Sequence, residues 1–195
     1  MIQAIAGISA AFGLASSAGL NAYIPLLMVA LAARFPLNDP LLNLSEPYDI
    51  IGSWWGIAIL TVLLLIEMTV DKIPAVDTLN DGIQTFIRPA AGAVLFAANA
   101  NVINDVHPIL ALAAGLILAG GVHATKTAAR PMVTAVTAGT GNWFVSIVED
   151  IVSFFVSLLA ILLPLLAGLV SLALIIYAVR LYRRRKKRRD MVYPT

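Results

Sequence analysis

The sequence predicts an all-α, polytopic membrane protein of about six crossings, arranged as two inverted three-element halves. Three observations lead there. The 195 residues are 60% hydrophobic and 12% charged, with a mean hydropathy of +0.90, whereas soluble domains run at about 25% charged. Several apolar runs reach the length of about 20 residues that a helix needs to cross hydrocarbon. The charges are also segregated. Arg180 to Asp190 holds eight bases and one acid, which leaves 5 bases against 10 acids elsewhere and a net charge of +2 overall.

That basic run abuts an apolar helix. It therefore reads as a cytoplasmic anchor on anionic headgroups rather than as a nucleic-acid site. With no cysteine, disulfides, thiolate metal sites and cysteine nucleophiles are excluded. The opening MIQAIAGISAAFG lacks the positive n-region of a signal peptide and reads as a retained membrane segment. Walker, Rossmann, HExxH and GxSxG patterns are absent, so neither an enzyme nor a cofactor is expected.

Ile2 to Phe35 is apolar except for the small and polar cluster SSAGLNAYIP, Ser16 to Pro25. A straight helix of that length would reach about 50 Å, against a core of about 30 Å. Two half-helices are expected, Ile2 to Ala15 and Asn21 to Phe35, crossing once or folding into a re-entrant hairpin. Pro25 suits the first turn of the second half. Pro36 to Asp49 is a loop without Lys or Arg. Ile51 to Val70 is the clearest span, with Trp54 and Trp55 as interfacial anchors. Val76 to Ala98 follows as an amphipathic segment, and Asn99 to His107 is a second loop free of Lys and Arg.

Pro108 to Thr137 repeats the opening design, with a break expected around Ala119 to Lys126. A shift of 102 positions lays Gly13, Gly19 and Ala22 on Gly115, Gly121 and Ala124, and Asn21 on His123. After a turn at AGTGN come Trp143 to Leu163 and Pro164 to Tyr182, joined by a hairpin at Pro164 and Gly168 or fused into one kinked helix. The loop charges place both termini in the cytoplasm and both Lys/Arg-free loops outside, with Arg34 stranded on the outer side. Residues 1–182 then form one inner-membrane domain (halves 1–98 and 108–182), and 183–195 a basic tail.

The polar residues within this frame are the candidate site. Interrupted helices leave backbone groups unpaired at membrane depth, which is tolerated where they line a cavity or hold a solute. Asn21 and Tyr23 stand at the first break. His123, Lys126 and Arg130 share one helix face at i, i+3 and i+7, which suits an anionic solute or headgroup, or anchors the cytoplasmic end. Asp77, Asp81, Gln84 and Arg88 line another face at i, i+4, i+7 and i+11. Glu67, Asp71, Glu149 and Asp150 suit coupling to protons or cations. Pairing with Lys72, Arg88, Lys126 and Arg130 would absorb nearly all the carboxylates. No metal is assigned.

GLNAYIPLL (Gly19 to Leu27), VDKIPAVDTLND (Val70 to Asp81) and IRPAAGA (Ile87 to Ala93) resemble a family of small bacterial integral membrane proteins described only as a domain of unknown function. The resemblance covers most of the chain and implies membrane location. Glu67, Asp71 and Lys72 are loosely similar to the Glu-x-Gly-Asp-Lys/Arg-Thr/Ser signature of inverted-repeat cation/proton exchangers. Here the spacing is one residue longer, the glycine is missing and no second copy surrounds Glu149 and Asp150.

The resulting expectation is a small carrier or flippase-like transporter. It would bind a charged solute or lipid headgroup at a midplane site and couple to protons or cations. The alternatives are a membrane adaptor acting through its tail and a lipid-modifying enzyme. Small residues on several helices admit a homo-oligomer without requiring one.

Overall fold

The computed structural model describes residues 2–36, 41–44, 46–70, 74–99, 106–137 and 140–164, with isolated positions between 166 and 180. Its helices are α1 (Ile2–Ala18), α2 (Tyr23–Arg34), α3 (Trp54–Val70), α4 (Pro74–Ala98), α5 (Pro108–Thr137) and α6 (Thr140–Leu162), with a 3-10 turn at Tyr48–Gly52. Among the described residues no strand forms; Leu44 and Asn99 make an isolated bridge. That bridge brings the first Lys/Arg-free loop against the start of the second. The Pro164–Gly168 hairpin and the basic tail lie outside the described residues.

The first break is present. The N–H groups of Gly19, Leu20 and Asn21 turn back to the carbonyls of Ser16 and Ser17 at 2.9–3.2 Å, which closes α1. Asn21 then opens α2, its Oδ1 accepting the N–H groups of Tyr23 and Ile24 at 3.0 Å each. Short polar side chains supply the partners that a buried helix end requires.

The second break is not present. α5 runs unbroken from Pro108 to Thr137 through Gly120, Gly121 and His123, correcting the expectation of matched interruptions. AGGVHATK has no short Asn, Asp or Ser side chain to substitute for helical hydrogen bonds. Glycine alone costs a helix only about 1 kcal/mol. The glycines matched by the 102-residue shift also differ in role. A Cβ on Gly19 would strike the Ala119 carbonyl and Val122, whereas Gly121 has open space around it.

Packing is closest between α4 and α5, and α1 lies against both of them and α6. Small residues permit this approach: Gly92, Gly115 and Ala119 meet across the α4–α5 crossing. α2 contacts α3 and α6, while α3 has Glu67 as its single buried residue. The solvation pattern is inverted relative to a soluble protein. The interior holds alanines with Arg88, Gln84, Glu67 and Asn21, while Trp55 (81%), Phe86 (79%) and Val136 (82%) lie exposed. Arg34, expected to be stranded, stacks its guanidinium 5.0 Å from the Trp54 ring centre.

Replacing Gly115 by Ala drives a methyl group into the Gly92 carbonyl and Phe96. Overpacking of this kind costs about 1–3 kcal/mol. The expected outcome is a lower unfolding midpoint in detergent for Gly115→Ala, with Gly121→Ala close to the parent.

Candidate functional site

Two polar clusters occupy the interior, and both are organised by α5. The first joins α3, α4 and α5. Arg88 Nη2 donates to Glu67 Oε1 at 3.0 Å, and both side chains are essentially without exposure. Arg88 Nη1 lies 3.3 Å from His123 Nδ1. On the other edge of the ring, His123 Nε2 stands 3.1 Å from Thr85 Oγ1 and 3.5 Å from Thr127 Oγ1. Gln84, one turn before Arg88 and buried, hydrogen-bonds the Tyr23 hydroxyl of α2.

The second cluster joins the α1–α2 break to α5 and α6. Lys126 Nζ donates to the Leu20 carbonyl at 3.2 Å and lies 2.7 Å from Glu149 Oε2. The same carboxylate oxygen is 3.6 Å from Arg130 Nη2, which also donates to Ser146 Oγ at 2.9 Å. Asn21, having capped α2 with its oxygen, donates through Nδ2 to Asp150 Oδ1 at 2.9 Å. Next to the break, Ser17 Oγ donates to the Ser153 carbonyl at 2.8 Å and lies 2.7 Å from Ser157 Oγ. Lys126 thus completes the hydrogen bonding of a break that would otherwise leave a bare carbonyl in the interior.

Nine of the predicted site residues therefore fall into these clusters: Glu67, Arg88 and His123, with Tyr23 through Gln84, in the first, and Asn21, Lys126, Arg130, Glu149 and Asp150 in the second. The expected face of His123, Lys126 and Arg130 is the buried face of α5. Asp71 lies outside the described residues, as do the side chains of Asp77 and Asp81. Glu67 reaches Arg88, across from α3 to α4, while Asp71 and Lys72 of the exchanger-like string lie outside the described residues. Within the clusters three cations (Arg88, Lys126, Arg130) face three carboxylates (Glu67, Glu149, Asp150). A cavity of about 190 Å³ lies elsewhere, between Leu14, Val29, Leu95 and the Leu41–Leu44 segment.

Sequence reading passed over two features. Ser146, Ser153 and Ser157 extend the predicted Glu149 and Asp150 into a stripe at helical spacing along α6, hidden in a run read as apolar because serine is small and common in membrane helices. The string Thr-x-x-Arg-Pro also occurs twice, at Thr85 to Pro89 and Thr127 to Pro131. Each proline lies inside its helix and has no N–H for the threonine carbonyl four residues back. Both threonines face His123.

Fold and site together define an all-helical protein whose described interior holds two clusters of buried ion pairs, one of them at a helix break. A family model matches residues 8–184, and the chain belongs to that family, described as Domain of unknown function (DUF4126). No curated protein and no solved structure matches the chain.

Breaking one side of a buried pair strands the other charge, at about 3–5 kcal/mol, while removing both charges is often nearly neutral. Glu67→Gln should therefore lower the unfolding midpoint sharply, and Glu67→Gln with Arg88→Gln should restore most of it. Equal losses in the single and double variants would show that the bridge does not bind α3 to α4.

Proposed function

We propose that the protein is a multi-pass carrier of the inner membrane, with the α1–α2 break and the ion pairs around it as its solute site. The membrane reading is supported by the two helices long and apolar enough to span, Pro108–Thr137 and Gly141–Leu162. The exposed apolar surface and buried charges agree with it, because hydrocarbon rather than water suits that distribution. α1 and α2 together make the first of six crossings, followed by α3 to α6 and the segment from 164 onward. The Leu44–Asn99 bridge is consistent with both Lys/Arg-free loops lying outside. Both termini are then cytoplasmic, with the tail on anionic lipid, and three crossings per half invert the second half relative to the first.

The observation that carries the carrier reading is the position of Lys126. It bridges a broken-helix carbonyl and a carboxylate that a second cation, Arg130, shares. Two cations on one carboxylate form a site where an anionic group can take the place of Glu149, whose own carboxylate is then matched by a proton or a cation. The cargo class is therefore a small anion or the anionic headgroup of a lipid. Exchange of internal for external partners supplies the two states between which alternating access would move. No covalent step is involved.

Flux in proteoliposomes tests this, using inorganic phosphate, small carboxylates and a labelled phosphatidic acid, with and without a pH gradient. Lys126→Ala and Glu149→Gln should reduce flux of the accepted anion about tenfold or more, the factor one charge-assisted contact carries. Both variants should remain inserted and monodisperse, with a lower unfolding midpoint because each breaks one side of a buried pair. Parental flux in Lys126→Ala, or transport of cations alone, overturns the reading.

A further inference from the structure

The His123 ring sits between partners that fix where its proton is. A guanidinium has donors and no acceptor, so Nδ1, 3.3 Å from Arg88 Nη1, must present its lone pair. The other edge agrees with that assignment. With its proton on the His123 carbonyl at 3.0 Å, the Thr127 hydroxyl offers Nε2 a lone pair. Thr85 Oγ1, at 3.1 Å, stands ready to accept from Nε2 as well. His123 is therefore neutral and protonated on Nε2, and its one open proton site points at Arg88.

A proton added at Nδ1 would set an N–H against the N–H of Arg88 and place two positive charges within hydrogen-bond distance. One of the two side chains must then withdraw. Arg88 holds Glu67, and Glu67 is the single buried residue of α3. We propose that His123 is the proton-binding site of the cluster and that its protonation at Nδ1 breaks the Arg88–Glu67 bridge and releases α3 from the core. This rests on the carrier reading only for its purpose, by naming the coupling ion; the switch itself does not require transport.

The charged surroundings are consistent with that assignment. Arg88 faces the ring from α4, and Glu67 stands behind it on α3. On α5 itself Lys126 is engaged by Glu149 of α6, and Asp150 of α6 is held by Asn21. α2 contributes Tyr23 through Gln84, and α1 has no titratable side chain. Asp77 and Asp81 precede Arg88 on α4, with side chains outside the described residues.

The test uses the full chain in lipid vesicles with the proton as its only ligand. His107→Gln leaves a single histidine for 15N labelling. The absence of cysteine allows spin labels at Thr69→Cys on α3 and Ala128→Cys on α5, both exposed positions. Near neutral pH the spectrum should show the Nε2–H tautomer. On acidification the ring should become doubly protonated, and the interlabel distance should lengthen with the same midpoint. His123→Gln keeps an acceptor toward Arg88 but takes no proton, so its labels should stay fixed. An Nδ1–H tautomer, a ring that titrates while the labels stay in place, or opening that persists in His123→Gln would each overturn the proposal. Solute flux independent of a pH gradient, with the switch intact, would count against coupling alone. A working switch with no flux of any anion would count against the carrier.

Discussion

A charge removed from water must find its partner inside the same chain, and this requirement shapes the interior more than any apolar contact. The idealised cost of moving one ion into a medium of low dielectric is of order 20 kcal/mol, far above the total stability of a typical domain. Arg88, Lys126 and Arg130 can be buried because Glu67, Glu149, Ser146 and the Leu20 carbonyl meet them at bonding distance. The helices are thereby held in register. α5 cannot slide against α4 without separating His123 from Arg88, nor against α6 without separating Lys126 from Glu149. Alanine and glycine at the crossings allow the backbones close enough for these side chains to reach, so the small residues and the charges form one arrangement.

The helix break belongs to the same accounting. The Ser17 carbonyl closes α1 and the Asn21 side chain opens α2, and both side chains also reach across to α6 through Ser153, Ser157 and Asp150. A single carbonyl, that of Leu20, is met by a cation instead of a backbone donor. A lysine there ties the geometry of the break to the ionisation of α6. Any group that draws Lys126 away exposes the carbonyl, and any straightening of α1 into α2 releases the lysine.

Much of this was legible in the sequence because buried backbone and buried charge permit so few solutions. The cluster SSAGLNAYIP announced a break through its small and polar residues, and the spacing of His123, Lys126 and Arg130 placed them on one helix face, which the fold buries. The expectation failed where glycine was taken as sufficient. Gly120 and Gly121 loosen α5 but supply no alternative hydrogen bond, so the helix continues through them. The α6 serines were missed for the opposite reason. A hydroxyl in a membrane helix commonly bonds its own backbone, as Ser157 also does to the Ser153 carbonyl, and only the facing Ser17 turns the stripe into a contact between helices. The partner of Glu67 was likewise beyond one-dimensional reading, because Arg88 competes with Lys72, Lys126 and Arg130 until α3 and α4 are placed.

The distribution of anchors divides the molecule into a firm part and a loosely attached one. α1, α4, α5 and α6 share extensive contacts, and their polar links are multiple, so losing one leaves others in place. α3 lies mainly on α2, with Leu60, Leu63 and Leu64 against the apolar core, and its one buried side chain ends in a carboxylate held by Arg88. Apolar packing responds weakly to any single chemical event, since dispersion is spread over many atoms. A buried ion pair responds to whatever competes for it. Arg88 touches both the carboxylate of α3 and the imidazole of α5, so the largest fully buried side chain among the described residues is also the one through which the interior can act on its edge.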